Sequence, residues 1–165
     1  MIPMIGLLAA CFENKAENQE ERINANSHDI IYGTSEDDWE LSPVFELSVI
    51  YEDGEEGSYT VAGNKEGIGF TGPFPIIAKE KQKYFWFYFG TENIYDKPVQ
   101  VKAIKEGTEE YIDILSGPST FYESAEVSPG SINMPSHLRF PSAGIWKVLV
   151  YIDDLLYETI VVEAV

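Results

Sequence analysis

Short apolar runs that alternate with period two, Gly- and Pro-rich breaks between them, and the lack of any long helical periodicity predict an all-β fold for most of this chain. Many short strands separated by turn signals suit a sandwich or barrel, and the expectation is an immunoglobulin-like β-sandwich of about seven to nine strands. That body is expected over residues 41–165, behind a signal segment at 1–10 and a flexible polar tether at 11–40.

The pattern is plain at residues 45–52, where Phe45, Leu47, Val49 and Tyr51 share one face and Glu46, Ser48 and Glu52 the other, as in a half-buried strand. Asp53-Gly54 supplies a tight turn, and 59–61 is the return. Further strands are expected at 67–71, 76–78, 84–89, 99–105 and 111–115. The last pair, 145–152 and 157–165, is joined around Asp153-Asp154, and Trp146, Val148, Val150 and Ile152 make one face of its first strand. Gly72-Pro73, Pro75, Pro98, Gly117-Pro118, Pro129-Gly130, Pro135, Pro141 and Gly144 fall at expected strand boundaries. With 44% hydrophobic and 13% aromatic residues, a body of this length can build a proper core, with Trp86 or Trp146 expected at its centre.

Ahead of the body the chain changes character. Met4-Ile5-Gly6-Leu7-Leu8-Ala9-Ala10 is an apolar, small-residue run that ends at Cys11, the single cysteine of the sequence. It resembles the lipobox of bacterial lipoproteins, which implies that Cys11 carries a diacylglyceryl group and begins the mature protein. Two acyl chains at about 0.8 kcal/mol per buried CH2 anchor stably, where one binds reversibly. A secretory signal also has a basic region ahead of its apolar core, and Met1-Ile2-Pro3 has no Lys or Arg. Either the true start lies upstream, or Cys11 is a small hydrophobe in an apolar strand or helix. From Glu13 to Asp29 the chain reads ENKAENQEERINANSHD, too polar to offset its own ordering entropy, which is the composition of a solvated tether. A short surface helix is the other reading of that segment.

The formal net charge is −17, from 28 acidic and 11 basic residues, all after Cys11. This argues against a nucleic-acid partner, which needs basic stripes, and against electrostatic attachment to anionic lipid. The membrane partner is therefore expected to be reached through acylated Cys11. No run of 18 apolar residues is present.

Catalytic and metal constellations are thin. The two histidines are His28, in the tether, and His137, and no G-x-S-x-G elbow accompanies them. One Cys and two His do not suit a zinc site. The carboxylate runs Glu36-Asp37-Asp38, Glu52-Asp53-x-Glu55-Glu56 and Asp153-Asp154 do not match a calcium loop and read as solvated turns. The expectation is no catalytic residue, no metal and no cofactor. The strand at 84–89 is the remaining feature: Phe85, Phe87 and Phe89 fall on one face, Tyr84, Trp86 and Tyr88 on the other. Either it is a central strand packed on both sides, or Tyr84, Trp86 and Tyr88 form a binding platform for sugar rings or a protein partner.

Three segments carry a resemblance: Lys83-Tyr84-Phe85-Trp86-Phe87-Tyr88-Phe89-Gly90, then Met134-Pro135-Ser136-His137-Leu138-Arg139-Phe140-Pro141-Ser142-Ala143-Gly144-Ile145-Trp146-Lys147, and the ending Tyr151-Ile152-Asp153-Asp154-Leu155-Leu156-Tyr157-Glu158-Thr159-Ile160-Val161-Val162-Glu163. Over residues 41–165 the chain resembles an uncharacterised lipoprotein family of Bacillus and its relatives, a domain of unknown function. The resemblance implies an extracytoplasmic, lipid-anchored, immunoglobulin-like domain on the cell membrane, and it implies no reaction. Asp153-Asp154 stands where the family has a glycine in the hairpin turn. Two functional expectations follow: a non-enzymatic binding or interaction module for a protein or cell-wall glycan, or an envelope enzyme or extracellular protease inhibitor acting through exposed loops.

Overall fold

The computed structural model describes residues 38–117, 119–123 and 131–165. Cys11 and nearly all of the expected tether lie outside them. The described residues form ten strands and no helix. In chain order these are β1 (Val44–Ile50), β2 (Glu56–Gly63), β3 (Ile68–Thr71), β4 (Gln82–Tyr88), β5 (Val99–Lys105), β6 (Tyr111–Asp113), β7 (Tyr122–Glu123), β8 (Ile132–Leu138), β9 (Gly144–Ile152) and β10 (Leu155–Ala164). One sheet has six strands in the order β1-β2-β3-β4-β8-β7, the other four in the order β10-β9-β5-β6, and every neighbouring pair is antiparallel. The fold is a β-sandwich, as the period-two pattern requires.

The strands differ from the expected ones at residues 76–78, at β8 and at the two-residue β7. Residues 76–78 do not form a strand; Ile76 makes a single parallel bridge to Ala164. β8 was not expected, because Pro135 and the polar Ser136-His137 interrupt its pattern. Its position explains the proline. Phe85 lies opposite Pro135, yet the Phe85 N–H bonds the Thr71 hydroxyl on the other side. The pair is thus not a hydrogen-bonded one, and the N–H that Pro135 lacks would point away from β4. There β7 is only two residues long and reaches Asn133 but not Pro135.

The main core lies between the sheets. Phe70, Tyr84, Trp86 and Met134 from the six-stranded sheet meet Val101, Val148, Val150 and Ile160 from the other. Trp86 is its centre: it is fully buried, packs at a tilt against Phe70 with ring centroids 4.7 Å apart, and donates its indole N–H to the Ser136 hydroxyl at 2.8 Å. Trp146 packs edge-on against Phe140 and donates to the Ser142 carbonyl. Both buried indoles therefore keep a partner, which avoids the desolvation penalty of an orphaned donor.

A second, smaller cluster packs Phe45, Leu47, Val49, Tyr59, Val61, Phe85, Phe87 and Phe89. These residues alternate with the core-facing ones, so they occupy the outer face of the six-stranded sheet. Gly69 makes this close: a Cβ there would lie 2.6 Å from Val61 Cγ1. Burial, and then the hydrogen bond with Tyr51, pushes the Tyr59 hydroxyl up to about 12, so it stays neutral.

The outer edge of β10 is where the sheets are joined. Ser42 donates its N–H to the Val161 carbonyl and accepts the Val161 N–H on its hydroxyl, and Pro43 then accepts from Gly63 of β2. Farther along, Ile76 and Ala78 bond Glu163 and Val165. Ahead of Ser42, Trp39 already lies over the Lys147 ammonium, 4.5 Å from its ring centroid. Packing thus begins before residue 41.

The β9–β10 hairpin closes on Asp153-Asp154, both with positive φ (54° and 64°), and Ile152 pairs with Leu155. This is the two-residue turn that favours Asn-Gly or Asp-Gly. Asp154→Gly, which creates the favoured Asp-Gly pair, should relieve the left-handed strain while leaving the Asp153 N–H bond to the Pro98 carbonyl in place. The expected gain is about 0.5–1 kcal/mol, read as a rise of about 1–4 °C in melting temperature.

Candidate functional site

Tyr84, Trp86 and Tyr88, the row expected to form a platform, are buried at 1%, 0% and 5% exposure. They face the other sheet, and their polar tips are occupied. Trp86 bonds Ser136, Tyr84 donates to Gln82, and the Tyr88 oxygen accepts from Tyr157 and from the Glu92 N–H. The platform reading is therefore corrected: β4 is a central strand packed on both faces, with Phe85, Phe87 and Phe89 in the outer cluster. The pattern alone leaves the two cases open, because a row of Tyr and Trp reads alike whether its second face meets a sheet or solvent.

A cleft among the described residues lies elsewhere, beside a stretch of β10 that their crossing segments leave uncovered. It measures about 660 Å³ and is walled by Ser42, Pro43, Val44 and Phe45 on one side, the turn from Gly63 to Glu66 on another, and Glu158 and Thr159 of β10. Glu158 is only 3% exposed. Its carboxylate accepts the Thr159 N–H at 3.1 Å and the Ile68 N–H at 3.4 Å, and takes a further bond from the Asn64 side chain. The same Asn64 amide oxygen accepts the Glu66 N–H, and Asn64 and Ile68 close the turn with backbone bonds. One carboxylate thus joins the edge of β10 to the β2–β3 turn in the facing sheet.

Space for this contact comes from Gly67, where any Cβ would run into the Glu158 carboxylate. Burial raises the Glu158 carboxyl above its ordinary 4.5, while the three donors, which favour the ionised form, partly offset the rise. At the rim, the Lys65 ammonium sits over the Phe45 ring at 4.9 Å. The sequence carries a signal for Glu158: it shares the parity of the inward Ile160, Val162 and Ala164. It is a charge on an apolar face.

The other candidates are not brought together. His137 is exposed on β8 opposite Lys83, and Glu52, Asp53, Glu55 and Glu56 are exposed at the tip of the β1–β2 hairpin. Among the described residues no three His, Cys, Asp or Glu side chains are grouped to hold a metal ion. Nor is any helix among them long and apolar enough to cross a membrane. Cys11, the expected lipidation site, and His28 lie outside the described residues.

The class is that of a two-sheet, antiparallel β-sandwich with a largely apolar cleft at one edge, where Glu158 is buried. Residues 33–162 match the sequence profile of DUF4871, a domain of unknown function, and the chain belongs to that family. A crystal structure of a candidate lipoprotein from Bacillus anthracis is similar, with a TM-score of 0.57 and 25% identity. That likeness covers 78% of this chain and 87% of the other. No curated protein matches the chain.

Two outcomes test the carboxylate clip. Gly67→Ala should displace Glu158 and cost about 1–3 kcal/mol in denaturant unfolding. The second concerns pH. A carboxyl whose folded value is raised binds more protons in the native state, so its contribution to stability is complete below 4.5 and is lost as pH rises through the folded value. The stability difference between wild type and Glu158→Gln should therefore move in favour of the variant between pH 4 and pH 7, in parallel urea titrations. A constant difference would count against a raised carboxyl.

Proposed function

We propose that this chain is a lipid-anchored, extracytoplasmic binding module, held at the outer face of the cell membrane through an acylated Cys11, and that it recognises its ligand without transforming it. The observation that carries the recognition half is the cleft: its volume lies within the usual range for small-ligand sites, and its walls combine apolar side chains with a few fixed polar groups. The anchoring half is supported by the lipobox-like run ending at Cys11 and by the likeness to the candidate lipoprotein from Bacillus anthracis.

Cys11→Ala tests the anchor. Expressed in its host, the variant should move from the membrane fraction to the soluble extracytoplasmic fraction, because the two acyl chains supply the attachment. Retention of the variant in the membrane fraction would overturn the anchoring assignment.

A further inference from the structure

The Glu158 carboxylate is more deeply buried than its partners account for. All three donors that reach it are neutral: two backbone N–H groups and one side-chain amide. No basic side chain among the described residues is a cause of its shift, and the cation that lines the cleft, Lys65, lies over the Phe45 ring. An ionised carboxylate offers about four acceptor positions, so three donors leave about one free. A buried carboxylate with neutral partners gains most from a cation brought to it with its own hydrogen-bond donors.

The approach to that oxygen is largely apolar. Glu158 lines the cleft while remaining 3% exposed, so only the slim end of a ligand can touch it. Pro43, Val44 and Phe45 form the wall along which the rest of such a ligand would lie, and Val44 is 53% exposed at the rim. The overall charge of −17 draws cations toward the surface and repels anions.

We propose that the cleft binds a lysine-like side chain, with its terminal ammonium on Glu158 and its alkyl chain along Pro43, Val44 and Phe45. This deepens the binding reading given above and rests on it. Because Glu158 is only 3% exposed, an ammonium at the end of a slim alkyl chain suits this approach better than one borne directly on a ring, as in an amino sugar. The ligand class is thus a peptide or amino-acid derivative with a free alkylammonium group.

The test is a backbone-amide NMR titration of the full chain with Nα-acetyl-lysine methylamide, against Nα-acetyl-norleucine methylamide, which keeps the alkyl chain and lacks the charge. Shifts should centre on Gly67, Ile68 and Thr159, and the lysine probe should bind about tenfold or more tightly than norleucine. Glu158→Gln should bring the lysine probe down to the norleucine level. Because that variant also alters the clip, Val44→Trp provides a second check: it fills the cleft from the rim, leaves the carboxylate in place, and should weaken the lysine probe by a similar factor. Equal binding of the two probes, an unaffected Glu158→Gln variant, or preferential binding of glucosamine would overturn the ligand class and leave the cleft as a binding site. Absence of shifts around the cleft with every probe would overturn the binding reading as well.

Discussion

The outer edge of β10 is the constraint on which the arrangement of the two sheets depends. A sandwich must join its sheets somewhere, and an exposed strand edge is a row of unpaired backbone groups. Here the joining and the covering are done by the same contacts. Ser42 occupies the edge at Val161 before its chain turns into the six-stranded sheet. Ile76 and Ala78 occupy it at Glu163 and Val165 before the chain enters β4. Between the start of β10 and Ser42 no crossing segment is present among the described residues, and a side chain, Glu158, takes over. The cleft exists because a side chain is thinner than a strand.

That substitution has an energetic consequence. A backbone crossing satisfies edge groups at modest net cost, whereas a buried carboxylate must offset its own desolvation through the donors it gathers. Gly67, Asn64 and the β2–β3 turn are shaped around this need: the glycine leaves room, and the asparagine amide serves the turn with its oxygen and the carboxylate with its nitrogen. A site that holds a carboxylate in this way is suited to recognition, since its polar groups are fixed before any ligand arrives.

The aromatic content follows a different logic. β4 lies within the six-stranded sheet and is packed on both faces, so the six successive aromatic residues from Tyr84 to Phe89, five of them in the strand, are all used in packing. The main core takes the residues with polar tips because partners for them exist there, in Ser136, Tyr157 and the Glu92 N–H. The outer cluster takes phenylalanines, which need none. Such a strand is fully occupied by the fold, and the surface chemistry is left to other elements.

Period two was legible in β1 and β5 because each has a buried apolar face and a more polar one, the apolar face of β1 lying in the outer cluster and that of β5 in the main core. The sandwich class followed from those alternations and from the turn residues between them, and the family resemblance from the segments around Trp86 and Trp146. The lipobox-like run ending at Cys11 is likewise a property of local sequence. β8 was hidden because Pro135 is permitted only by its register against β4 and by the shortness of β7, neither of which is local. The orientation of β4 and the burial of Glu158 were decided by the tertiary structure, for one reason. Alternation states which residues share a face, and only the packing of a second layer determines what that face meets.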